Sequence, residues 1–449
     1  MPEIAPFKGL LYNQKLITNM AEVITPPFDV ISPEEQEMYH NRHPNNIIRL
    51  ILGQIKPGDN EHNNWYTRAA NTLELWQREG IMLLDSRPAL YDYEISYQEQ
   101  ANVVRTRQGF ICLVRLEDFS RGSVLPHERT YEVTKSERLR LMSACKANLS
   151  QVFALYSDPD RIVSRSLRQG REKGSVLDFR DSSGIHHRMY RVTQAEVIQS
   201  VIATMKDKVL FIADGHHRYE TALNYQKLMR EKYPERGKRA SFNFVLMYLA
   251  DMDQEGLSIY PTHRMFVDLP QFQMAAFLAR AADYFEVVRF PFDGSSRKQA
   301  LEEFLNSLHS AGDRHFIGVY EAQAGQFVLL KLREDVNHEF WRGYMQPPLQ
   351  KLDVVVLTEL ILKGLLNVEE GTLNDETRIK YRHDAYEAVE QVDRGLFHVA
   401  FLINQTRIEQ LQEVANSRLI MPHKSTYFYP KVIDGSVLNL LDPLEDVPT

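Results

Sequence analysis

Short apolar runs and capped helical stretches are interspersed along this chain without a regular strand–helix–strand rhythm. A doubly wound parallel sheet needs that rhythm, because each parallel crossover takes a helix or its equivalent in length. The pattern therefore predicts an α+β fold. Ser32-Pro33-Glu34-Glu35 predicts a helix start, with Ser32 as cap and Glu35 closing a capping box. Trp65, Ala69, Leu73 and Trp76 share one helical face that stops at Gly80, and Pro26-Pro27-Phe28-Asp29 reads as a rigid turn. Tyr91, Tyr93, Ile95 and Tyr97 alternate with polar residues and predict a half-buried strand; Phe110–Leu116 predicts a more fully buried one. Thr134-Lys135-Ser136-Glu137 forms a second capping box, followed by a strand at Val152–Tyr156. Further strands are expected at Lys208–Ala213 and Phe244–Leu249, with a helix from Arg218 to Met229 between them. From 268 to 334 the order reads helix, strand, helix, strand, strand. Helices near 352–366, 385–392 and 408–415 and a strand at 397–403 complete the chain.

At 449 residues the chain has room for two or three domains of about 150 residues each. We place divisions near 108 and 268: an N-terminal α+β region (1–108), a core (109–267) and a C-terminal α+β region (268–449). Sixty acidic against 53 basic side chains give a net charge of −7, which argues against affinity drawn from phosphates along nucleic acid. Cys112 and Cys145 are the two cysteines, too few for a disulfide framework or a Cys-rich zinc module. The chain contains no signal-peptide pattern and no uncharged apolar run of about 18 residues, so a cytoplasmic protein without a membrane partner is expected. A homo-oligomer is allowed.

The chemistry is concentrated in Val209-Leu-Phe-Ile-Ala213-Asp214-Gly215-His216-His217-Arg218-Tyr219. An apolar strand ends in Asp-Gly, and a helix begins within three residues. A helix N-terminus offers backbone N–H groups and a positive dipole end to an anion. Gly215 lets backbone approach a ligand closely, Arg218 can grip phosphate oxygens, and His216 and His217 can donate to them. Asp214 can orient a histidine or hold Mg²⁺. By physics alone this is a phosphate cradle; the alternative is that Asp214 caps the helix and the histidines lie on its surface. The same triplet recurs as His186-His187-Arg188 after the turn Asp181-Ser-Ser-Gly184, where an exposed hairpin strand is expected.

Three other segments carry reactive side chains. Leu125-Pro126-His127-Glu128-Arg129-Thr130 places His-Glu in a loop before a helix, suited to a general base or a metal ligand, or simply solvated. Pro261-Thr262-His263-Arg264 follows a strand in a similar way. Met421-Pro422-His423-Lys424-Ser425-Thr426-Tyr427-Phe428-Tyr429-Pro430-Lys431 could bind an anionic substrate through Lys424, Ser425, Thr426 and Lys431, or be an ordered strand with aromatic packing. It lacks the glycine frame of a P-loop.

These residues together resemble the bacterial family called domain of unknown function 1015. The match rests on Ile212-Ala-Asp-Gly-His-His-Arg-Tyr219 with Thr221-Ala222, Leu125-Pro-His-Glu128 with Thr130, Pro261-Thr-His-Arg264, and Met421-Pro with Lys424-Ser-Thr-Tyr-Phe-Tyr-Pro-Lys431. Pro26–Asp29 and Asn45-Asn-Ile-Ile-Arg49 extend it over nearly the whole chain. More distantly, His127-Glu128 followed by Asp214-Gly-His-His-Arg218 is similar to the core of the ParB/sulfiredoxin superfamily, which includes free serine kinases. The resemblance implies a ParB/sulfiredoxin-like nucleotide-binding core flanked by the N- and C-terminal regions. It assigns phosphate binding to Gly215, His216, His217 and Arg218, and the role of base on a substrate hydroxyl to Glu128. His216 replaces the sulfiredoxin cysteine, which removes sulfinic-acid repair. About 85 residues separate Glu128 from Asp214, which implies an insertion around 157–200.

The expectation is a kinase using ATP or ADP with Mg²⁺ on a small hydroxylated metabolite, free L-serine first. His127, Glu128 and Asp214 are its catalytic set, Asp214 its metal ligand, and His263, Arg264, Lys424, Ser425, Thr426 and Lys431 its substrate contacts. Two rivals stand beside it. One is a metal-dependent phosphohydrolase with His127, Asp214, His216 and His263 among the ligands; the other is a nucleotide-switched, ParB-like binding protein.

Overall fold

In the computed structural model the described residues are 1–99, 103–128, 132–269, 272–336, 345–373, 375 and 377–449, with side chains at 132–135 outside the description. Thr130 also lies outside it. The chain forms two compact units. The first comprises Met1–Pro126, Thr130–Ser258 and Pro430–Thr449; the second comprises His127–Arg129 and Ile259–Tyr429.

The first unit is built on a mixed nine-stranded sheet. Its strands are β1 (Ile4–Ala5), β2 (Leu90–Gln98), β3 (Val104–Arg115), β4 (Val124–Leu125), β5 (Val152–Tyr156), β6 (Leu177–Arg180), β7 (His186–Val192), β8 (Leu210–Asp214) and β9 (Phe244–Asp251). Their order is β4-β8-β5-β9-β3-β2-β7-β6, with β1 also paired to β3. The β4–β8 and β5–β9 pairs are parallel and the others antiparallel. Helices α1 (Pro33–Arg42), α2 (Trp65–Arg78), α3 (Glu132–Cys145), α4 (Ile162–Gln169), α5 (Ala195–Met205) and α6 (His216–Lys232) complete it. One sheet face packs Phe110, Cys112, Val152, Ala154, Met247 and Leu249 against Val163, Leu167, Val201, Met205, Tyr219 and Ala222 of α4, α5 and α6. Residue 108 lies inside β3, so the N-terminal region and the expected core share this sheet. The segment 157–200 supplies α4, β6, β7 and much of α5.

The second unit holds a six-stranded antiparallel sheet of β10 (His263–Phe266), β11 (Phe285–Pro291), β12 (Phe316–Tyr320), β13 (Gln326–Leu332), β14 (Ile379–Arg382) and β15 (Val399–Ile403). The order is β11-β13-β12-β15-β10-β14. Helices α7 (Arg297–His309) and α8 (Ala385–Asp393) bury Phe304, Leu308, Val389 and Val392 against Phe327, Leu329, Ala400 and Leu402. The helix–strand–helix–strand–strand order expected for 268–334 is what forms, and the fold is α+β. Among the described residues no helix is long and apolar enough to cross a membrane.

Local signals mostly hold. Ser32 caps α1 with the reciprocal Glu35 bond, and α2 ends before Gly80, whose φ is +71°. Three expectations need correction. Strand β2 is buried on both faces rather than half-buried: Asp92 and Glu94 are only 4 % and 5 % exposed. They keep company there because Arg171 reaches both, with Nε 2.6 Å from Asp92 Oδ2, and Arg188 adds a second cation to Glu94 at 3.0 Å. Helix α3 runs from Glu132, so Thr134 lies inside it rather than at its start. The second His-His-Arg triplet sits on β7, flanked by β2 and β6, and His187 is fully buried rather than on an exposed strand.

Candidate functional site

The strand–Asp-Gly–helix element forms as its residues dictate. Strand β8 ends at Asp214 with a register shift beside Phe153 of β5, and α6 begins at His216. Gly215 caps the helix at φ +88°, and a Cβ there would lie 2.8 Å from the Arg218 guanidinium. Both the left-handed backbone and the close approach require glycine. Tyr219 anchors the first turn: its hydroxyl donates to Glu117 O at 2.8 Å and accepts from Glu117 N at 3.1 Å.

Asp214 is the electrostatic centre. Arg218 Nη2 lies 2.7 Å from its Oδ2, and Lys431 Nζ lies 2.9 Å from its Oδ1. Burial pushes this carboxyl up, but Lys431, Arg218 and then His216 outweigh it and hold the group well below the usual carboxylate range. Arg218 is buried, and its other arm donates to the Gln151 carbonyl. Two cations and one anion therefore meet at the N-terminus of α6, beside the positive end of the helix dipole. Behind Arg218 lies a cavity of about 50 Å³ lined by Phe28, Arg138, Ser150, Arg218 and Thr221. Fully buried Asp434 belongs to the same neighbourhood. Burial, opposed by Arg218 and Ser150, pushes its carboxyl up to about 7, with Asp29 adding to the rise.

This geometry revises two expected roles. Arg218 spends its guanidinium on Asp214 and Gln151, so it shapes the turn as well as charging it. Asp214 has both oxygens engaged by cationic side chains and does not fit a Mg²⁺ ligand. Among the described residues no group of three or more His, Cys, Asp or Glu side chains is placed to hold a metal ion. The proposed hydrolase ligands divide between the units, with Asp214 and His216 in the first and His127 and His263 in the second.

The C-terminal motif is also divided. Lys431 belongs to the first unit, with Asp214; Lys424, Ser425 and Thr426 belong to the second, with Glu128. There the Glu128 Oε1 accepts from Ser425 N at 2.9 Å, Thr426 N at 3.2 Å and Thr426 Oγ1 at 3.2 Å. Lys424 has φ +54°, and the two successive N–H groups that follow it converge on one carboxylate oxygen, in the manner of a backbone anion nest. His127 Nε2 lies 2.9 Å from Thr426 Oγ1. Thr262 donates to Lys424 O at 2.7 Å, and buried Arg264 holds Thr358 Oγ1 at 2.7 Å and His423 O at 3.2 Å. Arg264 thus braces this loop instead of facing a substrate. His263 is an interior histidine: it accepts from Ile403 N at 3.3 Å, and burial lowers its pKa to about 3, so it is neutral.

Sequence reading missed Gln151 and Asp434 as neighbours of the turn. Neither sits in a motif; only their burial beside Arg218 marks them.

Residues 4–355 match the model of the family described as "Protein of unknown function (DUF1015)". The chain belongs to this family. The resemblance to this family, domain of unknown function 1015, is thereby borne out. The Lys424–Lys431 segment of this DUF1015 protein lies beyond the matched residues. No curated protein matches the chain. Among solved structures it is similar to a free serine kinase in complex with AMP, at 10 % identity over 71 % of this chain and 88 % of that one, with a TM-score of 0.34. SbnI with a C-terminal truncation, from Staphylococcus aureus, aligns at 9 % identity over 75 % and 90 %, with a TM-score of 0.35. A conserved hypothetical protein from Pyrococcus furiosus aligns at 12 % identity over 70 % and 90 %, with a TM-score of 0.32.

Proposed function

We propose that this DUF1015 protein is a nucleotide-dependent phosphotransferase acting on a small hydroxylated metabolite, with free L-serine the first acceptor to test. The observation that carries the proposal is the turn itself: Gly215 in a left-handed conformation, the start of α6, and Lys431 and Arg218 gathered on Asp214. Phosphoryl transfer asks a protein mainly for positioning and charge neutralisation. The backbone of Gly215, His216 and His217 faces the phosphates of ATP or ADP, and His216 and His217 add donors. Lys431 exchanges part of its pairing with Asp214 for a phosphate oxygen. Arg218, fixed by Asp214 and Gln151, supplies standing positive charge. Mg²⁺ enters with the polyphosphate rather than on a protein ligand set.

In the reaction the acceptor oxygen forms a bond to the terminal phosphorus as the bridging P–O bond breaks, and the hydroxyl proton passes to a base. Glu128 is our candidate for that base, with His127 beside it. Its support is chemical: a carboxylate held in one orientation by two N–H groups and a hydroxyl.

The test is phosphorus NMR of the purified chain with Mg²⁺, ATP or ADP, and a pool of serine, homoserine, threonine and glycerate. A new phosphomonoester signal that depends on one acceptor establishes the kinase and names its substrate. Nucleotide bound tightly with no ester formed would overturn the kinase reading in favour of a nucleotide-switched binding protein.

A further inference from the structure

Arg107, on β3, is 0 % exposed, and none of its three side-chain nitrogens has a hydrogen-bond partner among the described residues. It makes no ion pair among them either. Its guanidinium lies 4.7 Å from the Phe153 ring centroid and 5.5 Å from that of Tyr248. The Tyr248 hydroxyl is buried beside it, close enough for the two to interact, and has no other polar partner among the described residues. Cation–π contact with desolvated rings recovers less than desolvating an ion costs. The rings alone do not balance the charge.

The surroundings are arranged rather than accidental. Tyr93 packs edge-on against Tyr248 at 5.6 Å, and its hydroxyl meets His187 Nδ1 at 2.7 Å. His187 Nε2 in turn lies 3.3 Å from Asp181 Oδ2. An Asp181–His187–Tyr93 chain therefore fixes the aromatic wall next to the guanidinium. All of these residues lie in the first unit. The strand register carries the same face from Arg107 through Tyr248 and Phe153 to Asp214, which pairs with Phe153. His187 belongs to the His186-His187-Arg188 triplet, whose sequence context predicted an exposed hairpin.

We infer that Arg107 and the Tyr248 hydroxyl form an anion-binding site that takes a phosphate or carboxylate group, separate from the turn at Gly215. The guanidinium fork matches two oxygens of such a group, and the tyrosine hydroxyl donates to one of them. The neutral form of Tyr248 is the one present at physiological pH, since burial pushes its pKa up to about 12 even with Arg107 beside it. The site needs no nucleotide chemistry, so it stands or falls independently of the kinase reading.

Titration calorimetry of the full chain with inorganic pyrophosphate, and separately with citrate, at constant ionic strength tests this and distinguishes the two sources of the anion. The expected result is that one of them binds, that Tyr248→Phe weakens binding about tenfold, as befits a lost hydrogen bond to a charged group, and that Arg107→Met abolishes it. Arg107→Met is also expected to melt higher than the parent in anion-free buffer, because it removes an uncompensated buried charge. Tyr248→Phe decides the matter if Arg107→Met does not fold. Neither anion binding, or binding that survives Tyr248→Phe and disappears in Lys431→Met, would overturn the site; the second result would assign the anion to the turn.

Discussion

Lys431 and Asp214 are 217 residues apart in the chain, and their charged atoms are 2.9 Å apart in the fold. The C-terminal segment returns to the first unit to make this contact. It is tied there by the backbone pairing of Asp434 with Thr25 and of Asn439 with Asn148. The cationic end of the turn is thus completed by the far end of the sequence.

Lys431→Met should weaken ATP or ADP binding by about tenfold or more, the usual cost of losing a charge-assisted hydrogen bond. Arg218 still neutralises Asp214 in this variant, so the melting temperature should move little. Calorimetry read beside thermal melts separates the two effects; unchanged nucleotide affinity would remove Lys431 from the site.

Gly215→Ala should destabilise the first unit by about 1–2 kcal/mol from the left-handed backbone alone. The added methyl also meets the Arg218 guanidinium at 2.8 Å. Urea melts measure the loss. A variant as stable as the parent would show that the turn adopts another backbone conformation.

Glu128→Gln keeps an oxygen able to accept from Ser425 and Thr426, so the loop should stay folded. If Glu128 is the base, turnover falls about a hundredfold or more while nucleotide affinity stays nearly unchanged. Single-turnover rates and equilibrium binding together make the distinction, and a parallel loss of both would make Glu128 a structural anchor.

Asp434 binds its proton more tightly when folded, at about 7, than an unfolded aspartate does at about 4. Its contribution to stability is therefore fully favourable below about pH 4 and is lost as pH rises through about 7. Asp434→Asn mimics the protonated form. It should gain roughly 1–3 kcal/mol over the parent at pH 8 and little at pH 4, as measured by denaturant melts at both pH values.

Arg171→Ala should cost about 3–5 kcal/mol, because it removes the cation shared by two buried carboxylates. Asp92 and Glu94 lose their shared cation, and only Arg188 remains on Glu94. The loss should shrink at low pH as Asp92, which burial pushes up to about 6, takes up its proton. A pH-independent loss would point to packing instead.

The parts legible in the sequence were those with local causes. The capping box at Ser32, the glycine after α2, the Asp-Gly turn and the strand and helix order from 268 to 334 each follow from neighbours a few residues away. Asp92 and Glu94 misled because alternation signals a solvent-facing side, and the cation that covers them comes from residue 171. His187 misled in the same way, since Tyr93 and Asp181 satisfy its ring inside the sheet. The Lys424–Lys431 run looked like one site because its residues are contiguous, yet the boundary between the units falls at Tyr429 and Pro430.

The sequence by itself determined that a strand would end at Asp214 and a helix begin after a glycine, because backbone conformation and capping depend on adjacent residues. It also determined the α+β class, through hydrophobic periodicity. Only the tertiary structure decided that Lys431 and Gln151 would join that turn, that Arg264 would brace the loop around Glu128, and that Arg107 would be buried with no ion-pair partner among the described residues. Those outcomes rest on charges and hydrogen bonds between distant segments. Such pairings depend on which strands come to lie side by side, and that order is a property of the folded sheet, not of any stretch of residues read alone.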